Sequence, residues 1–159
     1  MIRAGFGYDV HRLAEGRELW LGGVLIPGPI GAVGHSDADV LLHAICDALL
    51  GAVALGDIGH HFPDTDAEWK GADSKMLLSK VVELLDRKGW QVNNVDSTLV
   101  LEKPKIMPYV ELMRSTIAPL LKCDVDAVGI KATTNERIGF VGREEGVCAY
   151  AVATVIQRN

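Results

Sequence analysis

Cysteine is scarce in this chain: Cys46, Cys123 and Cys148 are the only three in 159 residues, and no CxxC pair occurs. An odd, widely spaced set excludes a disulfide-stapled secreted scaffold and suits a reducing cytosol. Runs of Lys or Arg are also missing. With 16 basic against 21 acidic side chains the net charge is −5, which excludes nucleic-acid binding through a broad basic surface. An anionic small molecule stays open, because a metal or a few local cations outweigh net charge at a site. The longest apolar stretches are interrupted by His or Asp and are too short to span a bilayer. There is no signal peptide or Arg-rich transit segment, and Met1 leads straight into a strand, as in a stand-alone chain. Repeats, low-complexity tracts and linkers are absent. So are the GxSxG, P-loop and GxGxxG patterns. GFGYDV is a weak fragment of a dinucleotide fingerprint, since its glycines precede and lie within a strand.

What is present is a globular composition, 48% hydrophobic and 23% charged, sized for a single domain over 1–159. Residues 2–11 read as a strand, and ELWLGGVLIPG as a hairpin turning at Gly22–Gly23. A Gly-rich loop leads to Ser36, the expected N-cap of a helix that runs to about Leu55. Leu41, Ile45, Ala48 and Ala52 mark its apolar face, and Asp39, His43 and Asp47 a polar stripe. Residues 56–73 carry turn chemistry throughout, and a loop of that length is usually functional. A second helix over 74–88 ends at Gly89. Strands follow over 91–102, 126–136 and 147–157, with a third helix over 106–121. The expected fold is α/β (α+β): a mixed four-stranded sheet with helices on one face, plus a small hairpin. The last strand, VCAYAVATVIQ, is apolar at odd and even positions, so both of its faces should be covered. Three helices cover one face, and a symmetric homo-oligomer is the simplest cover for the other.

Two segments carry chemistry. Asp9 and His11, two apart on a strand, point the same way, and His43 follows on a helix. A carboxylate and two imidazoles are the ligand set of a catalytic zinc, with the fourth position open. Asp39 and Asp47 share the helix stripe with His43 and are candidates to support a ligating imidazole. The alternative is a hydrogen-bonded Asp–His pair beside a core histidine. KATTNE, residues 131–136, places a lysine, two hydroxyls and a carboxylate at a strand end. It reads as a site for phosphate and a hard cation, or as a polar strand exit. HSDAD (35–39) and GDIGHHFPDTD (56–66) are equally two-sided, His60 and His61 read as loop residues, and Arg143 reads as an ion pair to Glu144 or Glu145.

Together the segments GYDVHR, HSDADVLLHAICDALLGAVALGDIGHHFPDTD, KGADS, KATTNERIGF and GREEG resemble the 2-C-methyl-D-erythritol 2,4-cyclodiphosphate synthase family of the non-mevalonate isoprenoid pathway, in unbroken order from residue 5. The resemblance implies a cytoplasmic bacterial homotrimer, its sheets facing the axis and its active sites between subunits. It implies zinc on Asp9, His11 and His43, and a second cation, Mg2+ or Mn2+, on Glu136. It implies that His35 and Ser36 contact substrate phosphate and that Thr134 positions it, with Thr133 among the substrate contacts. Asp57, Gly59, Phe62, Asp64 and Asp66 match the loop holding the methylerythritol part. Pro104, Lys105, Ile106, Met107 and Ala132 match the cytidine pocket. Phe140 and Arg143 match positions lining an axial channel that takes an isoprenoid diphosphate. The departures are small: Asn135 stands where a threonine is frequent, and Ile106–Met107 replaces other apolar residues.

The activity so implied is a lyase reaction. The 2-phosphate of a CDP-linked methylerythritol attacks the β-phosphorus, closes a cyclic diphosphate and expels CMP. Two anions must meet at one phosphorus, so neutralisation and alignment are the main tasks. A metal-dependent phosphohydrolase would use the same ligands with water as nucleophile. A non-enzymatic trimer that binds metal and isoprenoid phosphates would release no CMP. Neither nucleic acid nor a membrane is an expected partner.

Overall fold

A computed structural model of the chain describes residues 1–158. Its first strand, β1 (Ile2–Glu15), alternates sides as a strand must. Phe6, Tyr8 and Val10 point to one face of the sheet, and Gly5, Gly7, Asp9 and His11 to the other. On that second face lies α1 (Val40–Ala52), so close that no Cβ fits between. A Cβ on Gly5 would sit 2.0 Å from the Ala48 carbonyl oxygen, and one on Gly7 1.9 Å from that of Ala44. The glycines of GFG serve this helix-on-strand approach, and Ala44, Ala48 and Ala52 offer it a small-residue surface. The approach brings the next two inward positions of β1, Asp9 and His11, up to the start of the helix.

The remaining elements are β2 (Leu19–Leu21), β3 (Val24–Ile26), β4 (Ile30–Val33), α2 (Ile58–His61), α3 (Ser74–Arg87), β5 (Trp90–Val100), α4 (Val110–Leu121), β6 (Val128–Thr133), α5 (Gly139–Gly142) and β7 (Gly146–Gln157). The main sheet runs β4-β1-β7-β5-β6, and β2 and β3 form a separate hairpin. Among the described residues β5 and β6 alone pair in parallel. The sheet thus has five strands where four were expected. β1 extends to Glu15, and Ile30–Val33 pairs antiparallel with its second half. That stretch, PGPIGAVG, looks like loop because of its glycines, yet Gly31 is packed: a Cβ there would meet the Arg17 and Glu18 carbonyl oxygens at 2.2 Å.

Two boundaries of the first helix differ from expectation. Ser36 is not its N-cap. Asp39 is, with Oδ1 accepting from the Leu42 N–H at 3.0 Å, and the helix ends at Ala52 rather than Leu55. Residues 36–39 are instead folded by their own side chains. Ser36 Oγ accepts from Ala38 N–H, Asp37 Oδ1 accepts from Asp39 N–H, and Ala38 takes a positive φ of 58°. The polar stripe of α1 does not face solvent, since Asp39 and His43 are both buried. The hairpin turn falls at Gly22–Gly23 as expected, both with positive φ.

Helices α1, α3 and α4 cover one face of the sheet, and Leu41, Leu42, Ile45, Leu49 and Leu50 of α1 are fully buried with Leu78, Leu85, Met113 and Ile117. In β7, Val147, Ala149, Ala151, Ala153 and Val155 face this core. On the other face Val141 of α5 buries only Val100 and Cys148, and the described residues leave Phe6, Tyr8, Val10, Tyr150 and Val152 between 40% and 62% exposed. Among the described residues no helix is long and apolar enough to cross a membrane.

Candidate metal centre

Asp9 and His11 from β1 and His43 from the first turn of α1 meet at one point. Asp9 Oδ2 lies 2.9 Å from His11 Nε2 and 2.9 Å from His43 Nδ1, and the two nitrogens are 3.3 Å apart. Ligands held about 2.0–2.1 Å from a tetrahedral zinc stand ~3.3 Å from one another. The nitrogen pair already has that spacing, and the carboxylate oxygen needs to withdraw by only a few tenths of an ångström. The other nitrogens have separate partners: His11 Nδ1 lies 3.1 Å from the Val33 carbonyl oxygen, and His43 Nε2 2.8 Å from Ser74 Oγ. A carbonyl can only accept, so His11 carries its proton on Nδ1 and presents a lone pair on Nε2. These three donors fit a dication, and they are the one such cluster among the described residues.

The charges agree. Burial pushes the Asp9 carboxyl up, but its contacts with the His11 and His43 rings outweigh it and hold it at about 2. Burial pushes His43 down, and the Asp9 contact more than reverses that. The site is an ionised carboxylate flanked by two basic nitrogens. Its open side gives onto a cavity of about 210 Å3, lined by the three ligands with His35, Ser36, Gly59, Phe62 and Asp64 among others. Asp9, His11 and His43 are therefore reachable from this cavity by a small anion.

The end of β6 forms a second hollow, about 230 Å3, bounded by Leu101, Glu102, Pro104, Lys105, Ala132, Thr133 and Thr134. Sheet register locates it. Asp9 pairs with Ala149, Ala149 with Leu99, and Leu99 with Ala132. The hollow is level with the triad but three strands away, about 14 Å at the usual strand spacing. Within one chain the fold brings Asp9, His11 and His43 together and keeps Glu136 apart from them.

The family model for the YgbB family matches residues 2–156. The chain belongs to the YgbB family. It is 62% identical over 154 residues to a 2-C-methyl-D-erythritol 2,4-cyclodiphosphate synthase of Salinibacter ruber, covering 97% of this chain and 98% of that one. A synthase of the same name solved in a form bound to CDP superposes with a TM-score of 0.90 at 39% identity, over 97% of this chain and all of the other. The bifunctional IspDF of Campylobacter jejuni superposes at 0.96 with 39% identity, and this chain spans all its own length but 43% of that longer protein.

In this YgbB-family chain the long 56–73 segment is more ordered than a loop reading suggests. Asp57 caps α2 by accepting from His60 N–H, Asp66 accepts from Glu68 N–H, and Phe62 stacks edge-on against Trp69 at 5.0 Å. Gly59, Phe62 and Asp64 reach the cavity, whereas Asp57 and Asp66 are engaged as caps. His60 and His61, expected in a loop, lie in the short helix α2, where His61 bonds the Leu55 carbonyl and His60 packs on His61. Ile106 is 2% exposed and belongs to the core, while Met107 is 71% exposed. Arg143 pairs with Glu145 at 2.9 Å, and the nearby Phe140 is exposed. The carboxylates of Asp39 and Asp47 do not bond the His43 ring. Asp39 accepts from Gly22, Gly23 and Leu42 N–H groups, and Asp47 from Ile58 N–H. Ser74, Asp37, Trp69 and Glu102 were not singled out as site residues. Glu102 Oε1 accepts from the Asn135 and Arg137 N–H groups and shapes the KATTNE turn that carries Glu136. KGADS stands out in the sequence, but nothing in its spacing links Ser74 to a histidine 31 residues earlier.

Proposed function

We propose that the chain converts 4-diphosphocytidyl-2-C-methyl-D-erythritol 2-phosphate to 2-C-methyl-D-erythritol 2,4-cyclodiphosphate and CMP, in the bacterial cytoplasm. The observation that carries this reading is a three-donor centre open to a phosphate-sized cavity, in a fold whose relative binds CDP. An oxygen of the substrate's 2-phosphate forms a bond to the β-phosphorus. The bond from that phosphorus to the bridging oxygen breaks, and the electron pair leaves with CMP. Both reacting groups are on the substrate, so no protein nucleophile is needed.

A zinc held by Asp9, His11 and His43 supplies Lewis-acid polarisation of a phosphate oxygen. His35 and Ser36, at the rim of the same cavity, hold that phosphate against the centre. Gly59, Phe62 and Asp64 close over the methylerythritol part, with Asp57 and Asp66 holding the loop that carries them. Lys105 and Pro104, with Ala132 and Thr133, take the cytidine end in the second hollow. Thr134 would align the diphosphate, and Glu136 would hold a Mg2+ or Mn2+ that would neutralise phosphate charge.

About 14 Å separates the two hollows within a chain. In a homotrimer packed through the uncovered sheet face, the hollow of one protomer would complete the triad of the next. Apolar side chains over that face (Phe6, Tyr8, Val10, Tyr150 and Val152) support this packing. Phe140 and Arg143 lie beside the start of β7, where an isoprenoid diphosphate at the axis would meet them. Phosphorus NMR of the turnover mixture tests the activity. A cyclic diphosphate with stoichiometric CMP is expected, and a linear phosphate product would establish hydrolysis instead. Substrate binding with no CMP at all would leave only a binding protein.

A further inference from the structure

His43 meets the other two ligands through Nδ1, and its Nε2 is held by a chain of two residues. Nε2 lies 2.8 Å from Ser74 Oγ, and that hydroxyl donates to Oδ1 of Asp37. Asp37 is an acceptor on both oxygens: Oδ1 also takes the Asp39 N–H at 3.1 Å, and Oδ2 takes the Ser74 N–H at 2.9 Å. A hydroxyl has one proton, and here the carboxylate claims it. The oxygen lone pairs of Ser74 therefore face His43, and Nε2 must be the nitrogen that carries hydrogen. Ser74 is fully buried, so water cannot take over either bond. Ser36 Oγ is the rival partner, but it lies at 3.2 Å and already accepts from Ala38 N–H.

We infer that Asp37 and Ser74 are positioning residues for metal binding, a carboxylate–hydroxyl–imidazole chain that fixes His43 with its proton on Nε2 and aims Nδ1 at Asp9 and His11. The inference rests on the metal-centre reading above. The chain also ties the site to the end of the long loop, because Asp37 N–H donates to the Ala72 carbonyl and Gly71 N–H to that of His35.

Zinc alone is the probe, titrated into the full-length metal-free protein in competition with a chromophoric chelator. The wild type is expected to take one zinc per chain. Ser74→Ala and Asp37→Asn should each weaken binding about 10- to 100-fold, as loss of a partner behind a ligating histidine usually does. The double variant should lose little more than Ser74→Ala alone, because the two act as one chain. Ser36→Ala should change zinc affinity less than threefold. A merely structural role would lower the metal-free melting temperature while leaving zinc affinity of the folded protein in place. Affinity of Ser74→Ala within threefold of wild type, or additive losses in the double variant, would overturn the inference. If Ser74→Ala does not fold, Asp37→Asn decides alone by the same threefold limit. A wild type that binds no zinc would sink the metal centre itself.

Discussion

Gly7→Ala separates the steric from the conformational role of the GFG glycines. Gly7 has no positive φ, so alanine is compatible with its backbone. The added Cβ, however, would lie 1.9 Å from the Ala44 carbonyl oxygen and 2.8 Å from the Ala48 nitrogen, both helix backbone. Ordinary contact begins at 3.4 Å, so α1 must retreat from β1 by about 1.5 Å. Overpacking of this kind costs about 1–3 kcal/mol. In a chain of this size that is a fall of roughly 2–12 °C in Tm. The functional effect should be larger. A retreat of that size carries His43 away from Asp9 and takes their 2.9 Å separation well past the ~3.3 Å that tetrahedral ligands share. Thermal melts of the metal-free protein and a zinc titration test both parts. A variant with wild-type Tm and wild-type zinc affinity would refute the claim that this glycine exists to let the helix approach.

Gly51→Ala is the contrasting case. This exposed glycine of α1 meets nothing closer than 3.9 Å, so better helix propensity should raise Tm by about 2 °C in the same melts. Asp39→Ala removes the cap of α1 and leaves the Gly22 and Gly23 N–H groups unsatisfied, which should cost about 3 kcal/mol or more in urea unfolding. His11→Ala should abolish cyclisation and zinc uptake while light scattering still reports the trimer; normal CMP release would contradict the metal assignment. Val152→Glu puts a charge on the uncovered sheet face, away from the triad. It should give a monomer that binds zinc but does not release CMP, and a trimer of normal mass would remove the proposed packing face.

Much of the site was legible along the chain because its logic is local. A two-residue spacing on a strand puts Asp9 and His11 on one side whatever the rest of the fold does, and an unbroken apolar run in the last strand marks two apolar faces. Gly22–Gly23 could only be a turn. The fifth strand was not legible, because the glycines of PGPIGAVG signal a loop unless one knows that the Arg17 and Glu18 carbonyls lie against Gly31. Asp39 and Asp47 were misassigned for a similar reason. Helical spacing shows that they share a side with His43, but not that the hairpin and α2 present N–H groups to them. The Asp37–Ser74 chain joins segments 37 residues apart and leaves no periodic trace.

The order of residues alone settled the class of fold and the placing of Asp9 and His11 on one side of a strand, since those depend on side-chain chemistry and backbone period. Tertiary structure decided the rest: how closely α1 lies on β1, which nitrogen of each imidazole meets Asp9, and the two strands that stand between the triad's β1 and β6. Those are distances between parts of the chain remote in sequence, and only the packing of a helix onto a sheet sets them.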